Sequence, residues 1–202
     1  MNANHWVHEE KARELGYRLI AGIDEAGRGP LAGPVVASAV ILPPDFNGAG
    51  VDDSKKLTAR KRALLYDEIF NRALAVGVGV VDVTQIDEIN ILQASLLAME
   101  RAVARLSPWP DYLLIDGTFP IKTDLPQELL AKGDARSVSI ASASIVAKVT
   151  RDRLMETYHD AYPQYGFLQH KGYPTRDHRE AIRALGACPI HRRSFKGVKE
   201  YL

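Results

Sequence analysis

Leu19-Ile20-Ala21-Gly22-Ile23-Asp24-Glu25-Ala26-Gly27-Arg28-Gly29-Pro30 is the stretch on which the reading of this chain turns. An apolar run of this kind, ended by two adjacent carboxylates, reads as a buried strand. Ionisable groups at the mouth of such a strand are costly to desolvate unless something positive stands against them. Gly27 and Gly29 let the backbone approach a ligand closely, with its N–H and C=O groups presented to it. Arg28 adds a planar fork suited to phosphate. Carboxylates for a metal ion and donors for a phosphate, this close in sequence, point to phosphoryl-transfer chemistry.

Working outward, the first strand is expected over Tyr17–Ile23, with Asp24 and Glu25 just past its end. Gly33–Leu42 forms a second strand, too apolar for one face to be solvated, and the short connection favours an antiparallel hairpin. Pro43-Pro44 stops it. Thr58 suits the N-cap of a helix running through Ala73, and the valine-rich segment Leu74–Val83 reads as a third strand. Ile91–Leu106 is the clearest helix, with Leu92, Leu96, Met99, Val103 and Leu106 at four-three spacing; such a stripe is core and carries no chemistry. Tyr112–Ile115 is a short buried strand running into Asp116, and Gln127–Lys132 a weaker fifth strand closed by Gly133-Asp134.

Ser139–Tyr162 then makes one long helix, whose first half consists of small residues that let its axis lie close against a sheet. Beyond Pro163 come short helices and turns, with Thr175 capping a helix through Leu185. Strands and helices alternate after an opening hairpin, which predicts an α/β fold with a mixed sheet of about five strands flanked by helices. The whole chain reads as one domain, a core over about 17–162 and a small helical C-terminal extension over about 163–202.

Composition narrows the function. No apolar run approaches the ~20 residues needed to span a bilayer, so no membrane is expected as partner. Met1–Lys11 is polar and carries Glu9 and Glu10, which argues against a secretory leader. Cys188 is the only cysteine; an internal disulfide and a cysteine-built zinc site are excluded, and a reducing cytoplasm is the expected setting. Nothing in the helix pattern asks for a second copy, so a monomer is expected. The net charge of +1 conceals an asymmetry: residues 1–100 hold 10 Lys and Arg against 14 Asp and Glu, residues 101–202 hold 16 against 11. A basic C-terminal half beside an acidic site suits a polyanionic substrate, although a solvated helix face would carry the same charges.

Asp24 with Glu25, and then Asp116, each follow an apolar strand, and Asp134 follows the fifth. If these strands are parallel neighbours, the carboxylates converge where open α/β sheets place ligands. Carboxylates without histidine or cysteine partners suit Mg²⁺ or Mn²⁺, and two such ions roughly 3.5–4 Å apart can activate water and stabilise the leaving oxygen of an in-line displacement. Asp116 or Asp134 alone would be read as a turn former; the Asp24-Glu25 pair is harder to dismiss. Asp53-Ser54-Lys55-Lys56 is either a turn and helix cap or a phosphate contact through its lysines. His5 and His8, one helical turn apart near the terminus, carry no assigned role.

Four segments together resemble the bacterial ribonuclease HII family: Gly22–Pro30, Asp53–Leu57, Ser142–Arg153 and His170-Lys171-Gly172-Tyr173. The match runs in the family's order over about residues 17–197. It implies an RNase H-like fold, cleavage of RNA in RNA–DNA hybrids, and incision 5′ to a lone ribonucleotide in duplex DNA, leaving 3′-hydroxyl and 5′-phosphate ends. By the same resemblance, Asp24, Glu25, Asp116 and Asp134 are the metal-binding acids, with Asp134 resting on the shortest match. Gly27, Arg28 and Gly29 read the 2′-hydroxyl, and Tyr173 packs at the RNA–DNA junction. The 2′-OH is what separates RNA from DNA at a given site, and glycine backbone can reach it. Ser54 and Lys55, with Arg192, Arg193 and Lys196 of the tail, are expected to hold phosphates. The sister type ribonuclease HIII has an extra N-terminal domain, for which the position of Asp24 leaves no room.

Two other readings compete. A non-catalytic nucleic-acid binder could use the same basic tail, and would work in EDTA. A small-molecule phosphotransferase could use Gly27-Arg28-Gly29, but the Gly-x-x-x-x-Gly-Lys-Ser/Thr pattern is missing.

Overall fold

The computed structural model describes residues 5–48, 50–51, 54 and 57–202; Asp53, Lys55 and Lys56 of the expected phosphate-contact segment lie outside the described residues. Its strands, β1 (Ile20–Ala26), β2 (Val35–Ile41), β3 (Ala75–Val81), β4 (Tyr112–Asp116) and β5 (Gln127–Leu130), form one sheet in the order β3-β2-β1-β4-β5. β1 pairs antiparallel with β2 and parallel with β4, and β4 pairs parallel with β5. The expected opening hairpin and mixed α/β sheet are therefore present.

The α-helices are α1 (Val7–Glu14), α2 (Ala59–Arg72), α3 (Val83–Val103), α4 (Val138–Ala161), α5 (Phe167–His170) and α6 (Arg176–Leu185). Because side chains alternate along a strand, the sheet presents two apolar faces. Ala21, Ile23, Ala37, Leu113 and Ile115 pack with Ala94, Ala98 and Ala102 of α3. On the other face Val40 packs with α2 and α4 through Leu65, Ile69, Ala141 and Ile145, and Leu114 meets Ile140. Glycines set how closely the layers approach. A Cβ on Gly79 would collide with Ala98 O of α3, and one on Gly22 with the Ser139 backbone of α4.

Two elements differ from expectation in a way that matters for the site. β1 begins later and runs on through the carboxylates, because Asp24 and Glu25 still pair with Ser38 and Ala37 of β2; Asp116 likewise is the last residue of β4. The acids are thus held by the ladder itself, not by a loop beyond it. The helix expected from Ile91 starts at Val83, capped by Asp82, whose Oδ1 accepts from Gln85 N, and breaks at Asn90 (φ 67°). Asn90 Oδ1 then accepts from the N–H groups of Leu92 and Gln93, restarting the helix as an N-cap does. Thr58, Ser137 and Thr175 cap α2, α4 and α6.

The C-terminal segment closes over the β1–β2 connection. Leu31 N donates to Gly172 O, Gly33 N to Ile190 O and Arg192 N to Leu31 O, each at 2.8 Å, and Ala32 pairs with His191 in an isolated bridge. No helix among the described residues is long and apolar enough to cross a membrane.

Candidate active site

In the parallel pair, Ile23 is in register with Ile115, so the next residue of each strand is a carboxylate, Asp24 beside Asp116. Both continue the alternation that put Gly22 and Leu114 on the α4 side. Asp24 is 5% exposed; its Oδ1 accepts from Glu25 N at 2.7 Å and its carboxyl is hydrogen-bonded to Ser144 of α4. Burial, then the charges of Glu25 and Asp116, hold the Asp24 carboxyl well above its ordinary range. Glu25, the next residue, lines a cleft of about 170 Å³ together with Asp116 at the end of β4, Ser95, Met99 and Phe119. Burial raises its pKa despite the Arg28 guanidinium at 3.2 Å from Oε1. Its Oε2 is buried with no hydrogen-bond partner.

The fourth acid enters through β5. Asp116 is in register with Leu130, and the chain turns back so that Gly133 N donates to Asp116 Oδ1 at 2.7 Å. Asp134, buried, follows on a 3-10 turn over Gly133–Ala135. The structure therefore gathers Asp24, Glu25, Asp116 and the Asp134 turn at the carboxyl ends of the parallel strands, where α/β sheets bind ligands. Among the described residues, no three His, Cys, Asp or Glu side chains stand as a group ready to hold a metal ion. Asp24 Oδ1 instead accepts from Glu25 N, Glu25 pairs with Arg28 and Asp116 Oδ1 accepts from Gly133 N. An all-oxygen donor set with a buried, partnerless Glu25 oxygen suits a hard divalent cation, so the residues fit one.

Beside the acids, Gly27 has φ 100°, and a Cβ there would collide with Arg151. Gly29 is open, with the Tyr173 ring an ordinary contact distance of 3.8 Å from where its Cβ would be. Tyr173 is 42% exposed and stands across from the turn. Arg193 and Lys196 are exposed on the tail.

Two expectations require correction. Ser54 is buried and its hydroxyl meets Ser144 Oγ at 2.9 Å; it faces inward, one hydrogen bond removed from Asp24, and not toward a phosphate. Arg192 is 0% exposed, its guanidinium bonded to three main-chain carbonyls, Gly33 O at 3.0 Å, Arg28 O at 2.9 Å, and Gly27 O. Burial and the like charge of Arg151 lower its pKa to about 9, which leaves it cationic at neutral pH but unable to reach a backbone phosphate.

Several residues around the site were not singled out in the sequence. Ser144 and Arg151 lie in the segment Ser142–Arg153 that carries the resemblance, without a role of their own there. Arg151 of α4 is 1% exposed and bonds Pro34 O, Ala32 O and Lys171 O; an arginine continuing the buried stripe of Ile140, Ser144 and Ala147 was its legible signal. His178 had a weak one, its place four residues before Ile182 on the buried face of the expected helix, and His191, outside any regular element, had none.

A model of the family described as Ribonuclease HII matches residues 21–198. A ribonuclease HII of Syntrophotalea carbinolica is 56% identical over 194 residues, 96% of this chain and 93% of that one. The ribonuclease H2 structure from Pyrococcus horikoshii superposes with a TM-score of 0.76 at 28% identity, covering 91% of this chain and 97% of that one. A ribonuclease HII from Archaeoglobus fulgidus, solved in complex with PCNA, gives a TM-score of 0.76 at 27% identity, over 89% and 96% of the two chains. The acids at the strand ends thus stand in a chain that belongs to the ribonuclease HII family, hydrolases that depend on divalent metal and act as endonucleases on RNA–DNA hybrids.

Proposed function

We propose that this chain incises the strand 5′ to a ribonucleotide embedded in duplex DNA, as well as the RNA strand of hybrids, with Asp24, Glu25, Asp116 and Asp134 holding two divalent ions, Mg²⁺ or Mn²⁺. The observation that supports this most is the register of β1 and β4, which sets Asp24 beside Asp116 with Glu25 next in line. When bound, such ions lower the pKa of water and stabilise the leaving oxygen. The chain's part is to hold and orient. Asp24, buried against Ser144, is costly to ionise without a cation and so favours the loaded state. Glu25, paired with Arg28 here, would be a ligand to such an ion, and the exposed Arg28 guanidinium would then be available to a phosphate. Gly27-Arg28-Gly29 and Tyr173 flank the ribose, the turn reading its 2′-OH through main-chain groups and the ring packing on the adjacent sugar. Arg193 and Lys196 contact the flanking backbone. A reducing cytoplasm, with duplex DNA at hand, is the setting that this substrate and the single cysteine favour.

The test is a DNA duplex with one ribonucleotide, incubated with Mg²⁺, Mn²⁺ or EDTA and mapped at nucleotide resolution. A metal-dependent nick leaving 3′-OH on the 5′ side of the ribonucleotide is expected, and none in EDTA. Asp116→Asn should lower cleavage at least ~10³-fold, the scale of losing a charge-stabilising group at a reacting centre, while still binding hybrid duplex. Turnover by Asp116→Asn near the wild-type rate would sink the assignment. Cutting in EDTA, or hydrolysis of free nucleotides in place of duplex, would favour the rival readings.

A further inference from the structure

Arg192 and the two buried histidines near it are not among the groups that touch substrate in the function proposed above. Yet they connect its two ribose-facing parts. In a trans peptide the C=O of one residue and the N–H of the next point in opposite directions. Arg192 draws the carbonyls of Gly27 and Arg28 inward, and this turns the N–H groups of Arg28 and Gly29 away from its guanidinium, in a turn whose Gly29 has the Tyr173 ring 3.8 Å from where its Cβ would be. One fork of fixed geometry, reaching Gly33 O as well, therefore fixes the orientation of successive peptide planes. A lysine, with one nitrogen, could not bond all three acceptors in that way.

The neighbouring residue does the corresponding work for Tyr173. Cys188 N donates to His191 Nδ1 at 2.9 Å, so Nδ1 is the unprotonated nitrogen and Nε2 carries the hydrogen. His191 Nε2 stands 3.0 Å from His178 Nε2, and His178 Nδ1 stands 2.9 Å from Tyr173 O. With both rings neutral and Cys188 N donating to His191 Nδ1, His191 Nε2–H donates to His178 Nε2 and His178 Nδ1–H to Tyr173 O, and the 3.3 Å approach of His191 Nδ1 to Cys188 O is a contact without a hydrogen bond. His170 stacks on His178 at 4.3 Å between ring centroids, its Nε2 toward Tyr165 O and its Nδ1 accepting from Gly172 N. His178 and His191 are buried, at 0% and 1% exposure.

We infer that Arg192, His191 and His178 are positioning residues for ribose recognition, a buried cross-brace that sets the outward N–H groups of the Gly27–Gly29 turn and the Tyr173 ring at one fixed separation. The two halves meet because His191 and Arg192 are consecutive and their strand segment pairs with Leu31 and Ala32. What the brace delivers is discrimination between ribose and deoxyribose, since it acts on the groups that face the sugar and on none of the acids. This rests on the reading of those groups in the proposed function.

Two variants test it, each compared with wild type on a duplex carrying one ribonucleotide and on the all-DNA duplex of the same sequence. Arg192→Lys keeps the charge and loses the fork; His191→Phe keeps a ring and loses the relay. Circular dichroism establishes which variants are folded, titration calorimetry gives Mn²⁺ affinity, and anisotropy gives the ratio of ribo to deoxy binding. Expected for each folded variant are Mn²⁺ affinity within about two-fold of wild type, a ribo/deoxy ratio reduced ten-fold or more, and slower cleavage beside the ribonucleotide. A folded variant with a lowered melting temperature but the wild-type ribo/deoxy ratio overturns the brace and leaves its residues as packing. If one variant does not fold, the other decides. Failure of wild type itself to cut beside a ribonucleotide would instead overturn the proposed function, so the two failures are distinguishable.

Discussion

Gly27 and Gly29 are two residues apart and look interchangeable, yet their surroundings give opposite requirements. Gly27 adopts a left-handed φ of 100°, and its missing side chain leaves the space that the Arg151 guanidinium occupies. Alanine there meets both a backbone penalty of roughly 1 kcal/mol or more and a buried arginine whose three carbonyl bonds would be disturbed. Gly29 meets only the Tyr173 ring at an ordinary distance. Gly27→Ala should therefore lower the melting temperature clearly, by several degrees or more, whereas Gly29→Ala should melt within a degree or two of wild type. Gly29→Ala should still lose ribonucleotide cleavage, because its methyl group enters the space between turn and ring that the ribose is to occupy. Thermal melts beside cleavage rates check this; a Gly29→Ala protein that cuts as well as wild type would remove the turn from the recognition surface.

Among elements, the approach of helix to sheet decides where the acids stand. A Cβ on Gly79 of β3 would collide with Ala98 O of α3, and one on Gly22 of β1 with the Ser139 backbone at the start of α4. Both obstacles are main chain, so neither can yield by a rotamer change. Gly79→Ala and Gly22→Ala should each destabilise by roughly 3 kcal/mol, the upper range for forcing atoms into a packed core, measured by denaturant unfolding. They should differ in function: α4 carries Ser144, bonded to Asp24, so Gly22→Ala also lowers Mn²⁺ affinity, while Gly79→Ala leaves it near wild type. The strands and capped helices were legible because burial and capping act locally: Val35–Ile41, Thr58, Thr175 and the long α4 all stand where pattern and cap place them. The extent of β1 was not, since pairing of Asp24 and Glu25 with β2 is a non-local fact. The first half of α3 was hidden because Asn90 breaks the helical period, although Asp82 three residues before Gln85 was a readable cap. In the candidate site, the acids that the fold brings to one end of the sheet stood out through their position after apolar runs. Arg192 misled because eight basic residues in Tyr165–Leu202 look alike until folding buries one of them.

For the molecule as a whole, the C-terminal segment is bonded to the β1–β2 connection that follows the acids, and its buried histidines tie the stability of that arrangement to pH. Burial lowers both His178 and His191 from 6.5 to about 4. A histidine whose folded pKa is depressed binds its proton more readily when unfolded, so stability from the neutral pair is full above pH 6.5 and is lost as pH falls toward 4. At about 1.4 kcal/mol per unit, the loss for one imidazole would reach roughly 2 kcal/mol by pH 5, and a proton on His178 Nε2 also removes the acceptor of the His178–His191 bond. Asp24 and Glu25 act with the opposite sign. Their folded pKa values are raised by burial, so in metal-free protein their ionisation weakens the fold as pH rises, and acid relieves it. A simple comparison of wild type at two pH values would mix these effects. Melting wild type and the double variant His178→Gln/His191→Gln side by side in EDTA cancels the carboxylates, which both proteins share. The melting-temperature advantage of wild type should be largest near pH 7.5 and shrink steadily to pH 5, because only wild type has these two buried imidazoles to protonate. A constant advantage across that range would mean that the pair is not held neutral. Tyr173 would then be anchored by something other than the chain of hydrogen bonds from Cys188 through both rings to its carbonyl.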